Sequence, residues 1–181
     1  MVFGGTVSRR QFLATGSAAL GALALPPALA EQATPLAAAT GPDRWQVLAR
    51  ILGDGLTRPT DSDYDGAAMP NNLRFAEVRP AGIAYCRTPE MVADTVKWCR
   101  DYDMPFAIRG GGHSYSGFST SHDLIIDMRD MDTITADAAT GRVTIGAGVI
   151  NGNLYEALDA NGRMITHGRC PTVGAGGFLL C

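Results

Sequence analysis

The chain of 181 residues has no surplus of positive charge: 15 Lys and Arg stand against 18 Asp and Glu, for a formal net charge of −3. Phosphate backbones are held by clustered Lys and Arg, and no such patch or stripe occurs, so a dedicated nucleic-acid binder is excluded. Histidine is equally sparse. His113, His122 and His167 do not stand at the spacing of a helical ligand pair or a zinc knuckle with any of the four cysteines, so no metal site is expected. A glycine run at 110–112 lacks the Gly-Lys-Ser/Thr ending of a P-loop, and it does not read Gly-x-Gly-x-x-Gly before a helix, which sets aside nucleotide-kinase and Rossmann readings. The segment Gly112-His113-Ser114-Tyr115-Ser116 lacks the closing glycine of a nucleophile elbow, which argues against a serine hydrolase.

What the chain does have is glycine, 22 residues in all, within a hydrophobic content of 46% that suits a packed globular domain. Its first 30 residues read as an address. Arg9 and Arg10 precede an Ala/Gly-rich stretch over 14–25, two prolines, and Ala28-Leu29-Ala30 before Glu31. Charged, apolar and small-residue zones in that order mark an export signal cut after Ala30, and the paired arginines resemble a bacterial twin-arginine signal. Gly16, Gly21, Pro26 and Pro27 interrupt the apolar stretch, so no stable membrane anchor is expected. The expected organisation is an export signal over 1–30, a linker and N-terminal segment over 31–75, and a cofactor domain over 76–181.

Local patterns predict an α+β fold. A short helix is expected over 45–52, stopped by Gly53 and Gly55, then a long surface segment over 57–72, crowded with Pro, Asp, Asn and Gly. A strand at 83–86 is followed by a helix that Thr88 caps and Pro89 opens, with Val92, Val96 and Cys99 on its apolar face and Met91 and Trp98 beside it. The strand 105–109 runs straight into the three glycines. Further strands are expected at 124–128, 133–135 and 142–145, the last two joined by a turn at Ala139-Thr140-Gly141, with a helix over 151–158 and another strand over 163–166. Cys86 and Cys99 read as small buried hydrophobes, with a disulfide between them left open.

The chemistry concentrates in two segments, Arg109-Gly110-Gly111-Gly112-His113-Ser114-Tyr115-Ser116-Gly117 and Gly168-Arg169-Cys170-Pro171-Thr172-Val173-Gly174-Ala175-Gly176-Gly177. Each sets one reactive side chain among glycines, whose backbone can expose N–H groups and admit another molecule closely. A thiol nucleophile with a histidine base is one reading. Two reactive groups, each inside a loop suited to close packing against an extended ligand, point instead to a flavin held covalently at both. Arg109 is open between holding a phosphate and a surface salt bridge, and Tyr115 between packing on a cofactor and filling a core.

These two segments closely resemble the FAD-binding domain of the vanillyl-alcohol oxidase and p-cresol methylhydroxylase family, and most closely its berberine bridge enzyme-like branch. The resemblance runs from about Pro80 to Phe178 and includes Ala147-Gly148-Val149 between the loops. It implies a p-cresol methylhydroxylase-type fold of mixed sheets with flanking helices. It also implies FAD bonded at its 8α-methyl carbon to His113 and at carbon 6 to Cys170. Gly110, Gly111, Gly112 and Ser114 resemble the pyrophosphate-holding backbone, and Arg109, Tyr115, Gly117, Pro171, Thr172, Val173, Gly174, Gly176 and Gly177 complete the cofactor-binding set. The implied activity is oxidation of an alcohol, sugar or related small molecule, with oxygen as electron acceptor. In the family the catalytic base and substrate pocket follow the region matched here, so no residue of this chain is assigned those roles, and the chain alone is not expected to be a competent oxidase. The alternative is a non-catalytic remnant that binds FAD weakly or not at all.

Overall fold

The computed structural model describes residues 43–166 and 168–180. The export signal over 1–30, the linker up to residue 42, His167 and Cys181 lie outside the described residues.

Helix α1 (Arg44–Leu52) starts where the Asp43 side chain accepts the Trp45 N–H, and ends at Gly53, whose φ of 62° places it in the left-handed region. Strand β1 (Leu56–Thr57) follows, then a short helix α2 (Tyr64–Ala68) and strand β2 (Gly82–Tyr85). Helix α3 (Pro89–Asp101) begins as expected: Thr88 Oγ1 accepts the Met91 N–H at 3.2 Å and Pro89 opens the first turn. A cap of this kind contributes about 1 kcal/mol. Strands β3 (Phe106–Arg109) and β4 (Leu124–Asp127) complete a four-stranded sheet of order β1-β2-β4-β3, in which β4 runs parallel to both β2 and β3 while β1 is antiparallel to β2.

Every residue of β4 is buried, because both faces of the sheet are covered. On one face Leu124 and Ile126 meet Leu48 and Leu52 of α1 and Trp98 and Cys99 of α3. On the other, Ile83 and Ile125 meet Tyr64, Ala67 and Ala68 of α2. The expectation of an unbroken surface segment over 57–72 is therefore corrected. One turn of helix inside it closes the second face, anchored by the Tyr64 hydroxyl donating to the Pro80 carbonyl at 2.6 Å. Three apolar residues among turn-forming neighbours are too few for a periodic signal.

The apolar face of α3 is also rotated from the expected one. Thr95, Trp98 and Cys99 are buried and Val96 is 36% exposed. Thr95 can face inward because its hydroxyl lies 3.7 Å from Cys86 Sγ, which satisfies it in the core. Cys86 and Cys99 are both free thiols, as small core residues.

A second, smaller layer follows. Strands β5 (Ile134–Ala136) and β6 (Val143–Ile145) form an antiparallel hairpin whose turn places Gly141 at φ 71°. Helix α4 (Asn151–Asp159) and the four-residue helix α5 (Ala175–Phe178) share a core of Val149, Leu154, Leu158 and Ala175, against which Ile134, Val143 and Ile145 pack. The strand expected over 163–166 is irregular chain instead, and Met164 is 90% exposed. The segment finds no ladder partner among the described residues. The α+β class holds, with mixed sheets and flanking helices.

Candidate functional site

Strand β3 forms an edge of the sheet and delivers its last residue, Arg109, directly opposite Asp127 of β4. Arg109 is 2% exposed, so the surface salt-bridge reading is corrected. Its Nε donates to the Ser119 carbonyl at 2.9 Å and its Nη1 to the Ala67 carbonyl at 2.7 Å, tying both ends of the glycine loop region to α2. Burial lowers the pKa of the Arg109 guanidinium, and the neighbouring Asp127 carboxylate, 3.9 Å away, opposes that shift. Asp127 is itself gripped by Arg129 at 2.8 and 3.1 Å, which raises the Arg129 pKa.

Beyond Arg109 the chain turns at Gly112, φ 71°, and the two glycine segments come into backbone contact. A Cβ on Gly111 would fall 2.7 Å from the Gly174 Cα, and one on Gly174 would fall 2.9 Å from the Gly111 Cα. No side chain of any kind fits between them.

The second loop is fixed by the start of α4. Helix α4 has no side-chain cap; its first N–H groups are taken by loop carbonyls, Asn151 N to Val173 O at 2.9 Å and Gly152 N to Pro171 O at 2.8 Å. The fully buried Asn151 side chain donates to the Cys170 carbonyl at 3.2 Å, and the Tyr155 hydroxyl donates to the Gly168 carbonyl. Cys170 is thus held by main-chain geometry while its side chain remains exposed. The other two described thiols differ: burial pushes Cys86 above its ordinary range and Cys99 up to about 11, so neither is a nucleophile near neutral pH.

Between the loops lies a cleft of about 520 Å³, a volume suited to a cofactor-sized ligand. His113 and Cys170 both line it. So do Gly110, Gly111, Gly112, Ser114 and Tyr115 from the first loop and Val173, Gly174 and Gly177 from the second. Tyr115 is 93% exposed, which removes the core-tyrosine reading. Ser114 Oγ accepts the Phe118 N–H at 3.1 Å and so shapes its own loop. Arg109 and Thr172 face a second cavity together with the three loop glycines. Three residues of the expected set line neither space. Gly117 (φ 78°) is pressed on the Phe75 ring, Gly176 on the Ala147 carbonyl, and Pro171 on Gly152.

Sequence reasoning missed Asn151, the apolar walls Ile108, Phe118 and Phe178, and Arg129. Asn151 carried no signal beyond opening a helix. Among the described residues no cluster of three or more His, Cys, Asp or Glu could hold a metal ion, and no helix is long and apolar enough to cross a membrane.

The profile of a family described as "FAD binding domain" matches residues 80–180, more than half of the chain. This chain belongs to that FAD-binding family. It is 39% identical over 105 residues to an FAD-dependent monooxygenase of Fusarium proliferatum, covering 57% of this chain and 20% of that one. It is 33% identical over 135 residues to reticuline oxidase of Papaver somniferum, covering 68% and 25%. A solved BBE-like structure from Physcomitrella patens superposes with a TM-score of 0.65 at 31% identity, over 72% of this chain and 29% of that one. The FAD-binding domain therefore sits in the berberine bridge enzyme-like branch, and its relatives are flavin-linked oxidoreductases. The chain spans under a third of the length of these relatives.

Proposed function

We propose that this chain is the cofactor-binding portion of an exported oxidoreductase that oxidises an alcohol, sugar or related small molecule, with FAD tethered through both His113 and Cys170. The observation that carries this reading is the convergence of those two side chains on one cleft, from loops that interlock at Gly111 and Gly174. The residues fit a flavin: a reactive imidazole and an exposed thiol share a cleft walled by Ile108, Phe118 and Phe178, apolar surface suited to a conjugated ring.

Bound flavin would supply a hydride acceptor that no side chain can provide. The chain's own contribution is attachment and positioning. His113 and Cys170 would hold the cofactor, the imidazole through a nitrogen and the thiol through its sulfur. Two bonds at separate points would fix the ring plane and prevent loss of the cofactor after export. Asn151 holds the Cys170 main chain, and the loop's hydrogen bonds to α4 hold the thiol's starting point.

Ultraviolet illumination of a denaturing gel tests the tethers, because only covalent flavin survives denaturation. His113→Ala and Cys170→Ala should each leave a fluorescent band, and the double substitution should leave none. Fluorescence that persists in the double variant would remove both residues from the site. A dark band in the unmodified chain would favour the remnant reading.

The leader carries the export part of the proposal: a twin-arginine-type route delivers folded protein with its cofactor to the periplasm or beyond. Changing Arg9 and Arg10 together to lysine should retain the product in the cytoplasm, and sequencing of the exported product should begin at Glu31. A mature product that still carries residues 1–30 outside the cell would overturn cleavage there.

A further inference from the structure

The loop that carries His113 is fixed at its ends and open in its middle. One end is Gly111, packed on Gly174; the other is the Ser119 carbonyl, which accepts Arg109 Nε at 2.9 Å. Between them Tyr115 and Phe118 are exposed, so no large side chain anchors the loop by burial. Ser114 Oγ accepts the Phe118 N–H, which closes the loop on itself without joining it to the body of the domain. That junction comes from one segment outside. Asn72 Nδ2 donates to the Tyr115 carbonyl at 3.2 Å, two residues beyond His113. Among the described residues no other hydrogen bond from outside the loop reaches 113–118. The Phe75 ring backs Gly117, where an added Cβ would fall 2.8 Å from it. Both contacts are set by the single 3₁₀ turn Leu73–Phe75. Asn72 opens that turn: its Oδ1 accepts the Arg74 N–H at 3.2 Å and its main-chain carbonyl the Phe75 N–H at 3.0 Å. One residue thus starts the turn that places Phe75 and also holds the loop.

We propose that Asn72 and Phe75 are positioning residues for His113, a brace outside both glycine loops that sets where the imidazole stands in the cleft. The inference deepens the flavin reading and rests on it for what His113 does. Cys170 is held separately, by Asn151 and by the main-chain bonds at the start of α4, and among the described residues no hydrogen bond from 72–75 reaches its loop. Loss of the brace therefore disturbs one tether and spares the other. That selectivity separates positioning from a general loss of stability.

Asn72→Asp separates the two roles of Asn72, because a carboxylate still accepts the Arg74 N–H but has no N–H to donate to Tyr115. The change is made in the full chain in three backgrounds: Cys170→Ala, where only His113 can tether flavin; His113→Ala, where only Cys170 can; and the double variant, which tethers none. In the first, fluorescence of the denatured band should be gained about fivefold more slowly on incubation with FAD in air, the factor that one hydrogen bond of ordinary net strength supplies. In the second the rate should not change. In the third, without FAD, the Gly117 and Phe118 amides, which donate within the loop, should exchange their hydrogens faster by a similar factor. Phe75→Ala should act in the same direction through the other contact. Asn71→Asp, the same charge one residue away, should alter neither readout. Unchanged exchange in Asn72→Asp, flavin gained through His113 at the parent rate, equal slowing in both single backgrounds, or the same effects from Asn71→Asp would each overturn the proposal. Faster exchange with no fluorescence in either single background would uphold the brace and count instead against flavin in the His113–Cys170 cleft.

Discussion

Alanine at Gly111 is expected to destabilise the domain by about 1–3 kcal/mol, the range for forcing a methyl group into a packed interior, and to abolish the proposed covalent attachment of flavin. The new Cβ would lie 2.7 Å from the Gly174 Cα and 3.2 Å from the Val173 carbonyl carbon, with the Gly174 nitrogen nearer still. Those are main-chain atoms and cannot rotate aside. The Cys170 loop would have to move, yet it is held by the hydrogen bonds that complete the start of α4. Separation of the loops would widen the space between His113 and Cys170, so attachment should fail before the fold does. Urea unfolding followed by tryptophan fluorescence should show a lower midpoint with an unchanged slope. Gly174→Ala should behave alike, and the double variant should cost less than the two single effects added, because the first methyl already parts the loops. Gly66→Ala is the control: nothing lies within 4 Å of its Cβ position in α2, so its stability should stay level or rise by up to about 1 kcal/mol. Wild-type flavin content in Gly111→Ala would sink the interlocked-loop account.

The same contact shows how much of the site could be read from the chain. His113 and Cys170 stood out because reactive side chains inside glycine runs are locally unusual, and each loop's chemistry is written in consecutive residues. Their convergence is not written there. It depends on β3 being an edge strand and on α4 lacking a side-chain cap, so that the carbonyls of Pro171 and Val173 complete it. Local signals also served well where physics is local, as in the Thr88 cap and the Gly53 and Gly141 turns. They failed where tertiary contacts decide. Helix α2 exists because Ile83 and Ile125 need cover, and Thr95 turns inward because Cys86 receives it. Arg109 illustrates the limit most clearly: next to three glycines it reads equally as a phosphate ligand and a surface cation, and only the register of β3 on β4 brings it beside Asp127.

That register leads to the largest stability effect expected in the domain. Replacing Asp127 with alanine should cost about 3–5 kcal/mol, because it leaves a buried guanidinium without its counter-charge rather than merely removing a contact. Asp127 is fully buried and serves two arginines, accepting both Arg129 side-chain donors and the Arg129 main-chain N–H at 3.0 Å while facing Arg109 from the adjacent strand. Asp127→Asn keeps part of the hydrogen bonding but not the charge, and should fall between the two. Asp54→Ala supplies the contrast. Asp54 also pairs with an arginine, Arg87, at 2.5 Å, and that pairing lowers its pKa, but it stands in open solvent, where its loss should leave the unfolding midpoint unchanged. The deciding measurement is the double variant Asp127→Ala/Arg109→Met. If the cost of Asp127→Ala comes from a stranded buried cation, removing that cation should restore part of the lost stability. If the double variant is less stable than either single one, the Asp127 carboxylate acts mainly by holding Arg129, and the glycine loop depends on Arg109 only through the carbonyls of Ala67 and Ser119.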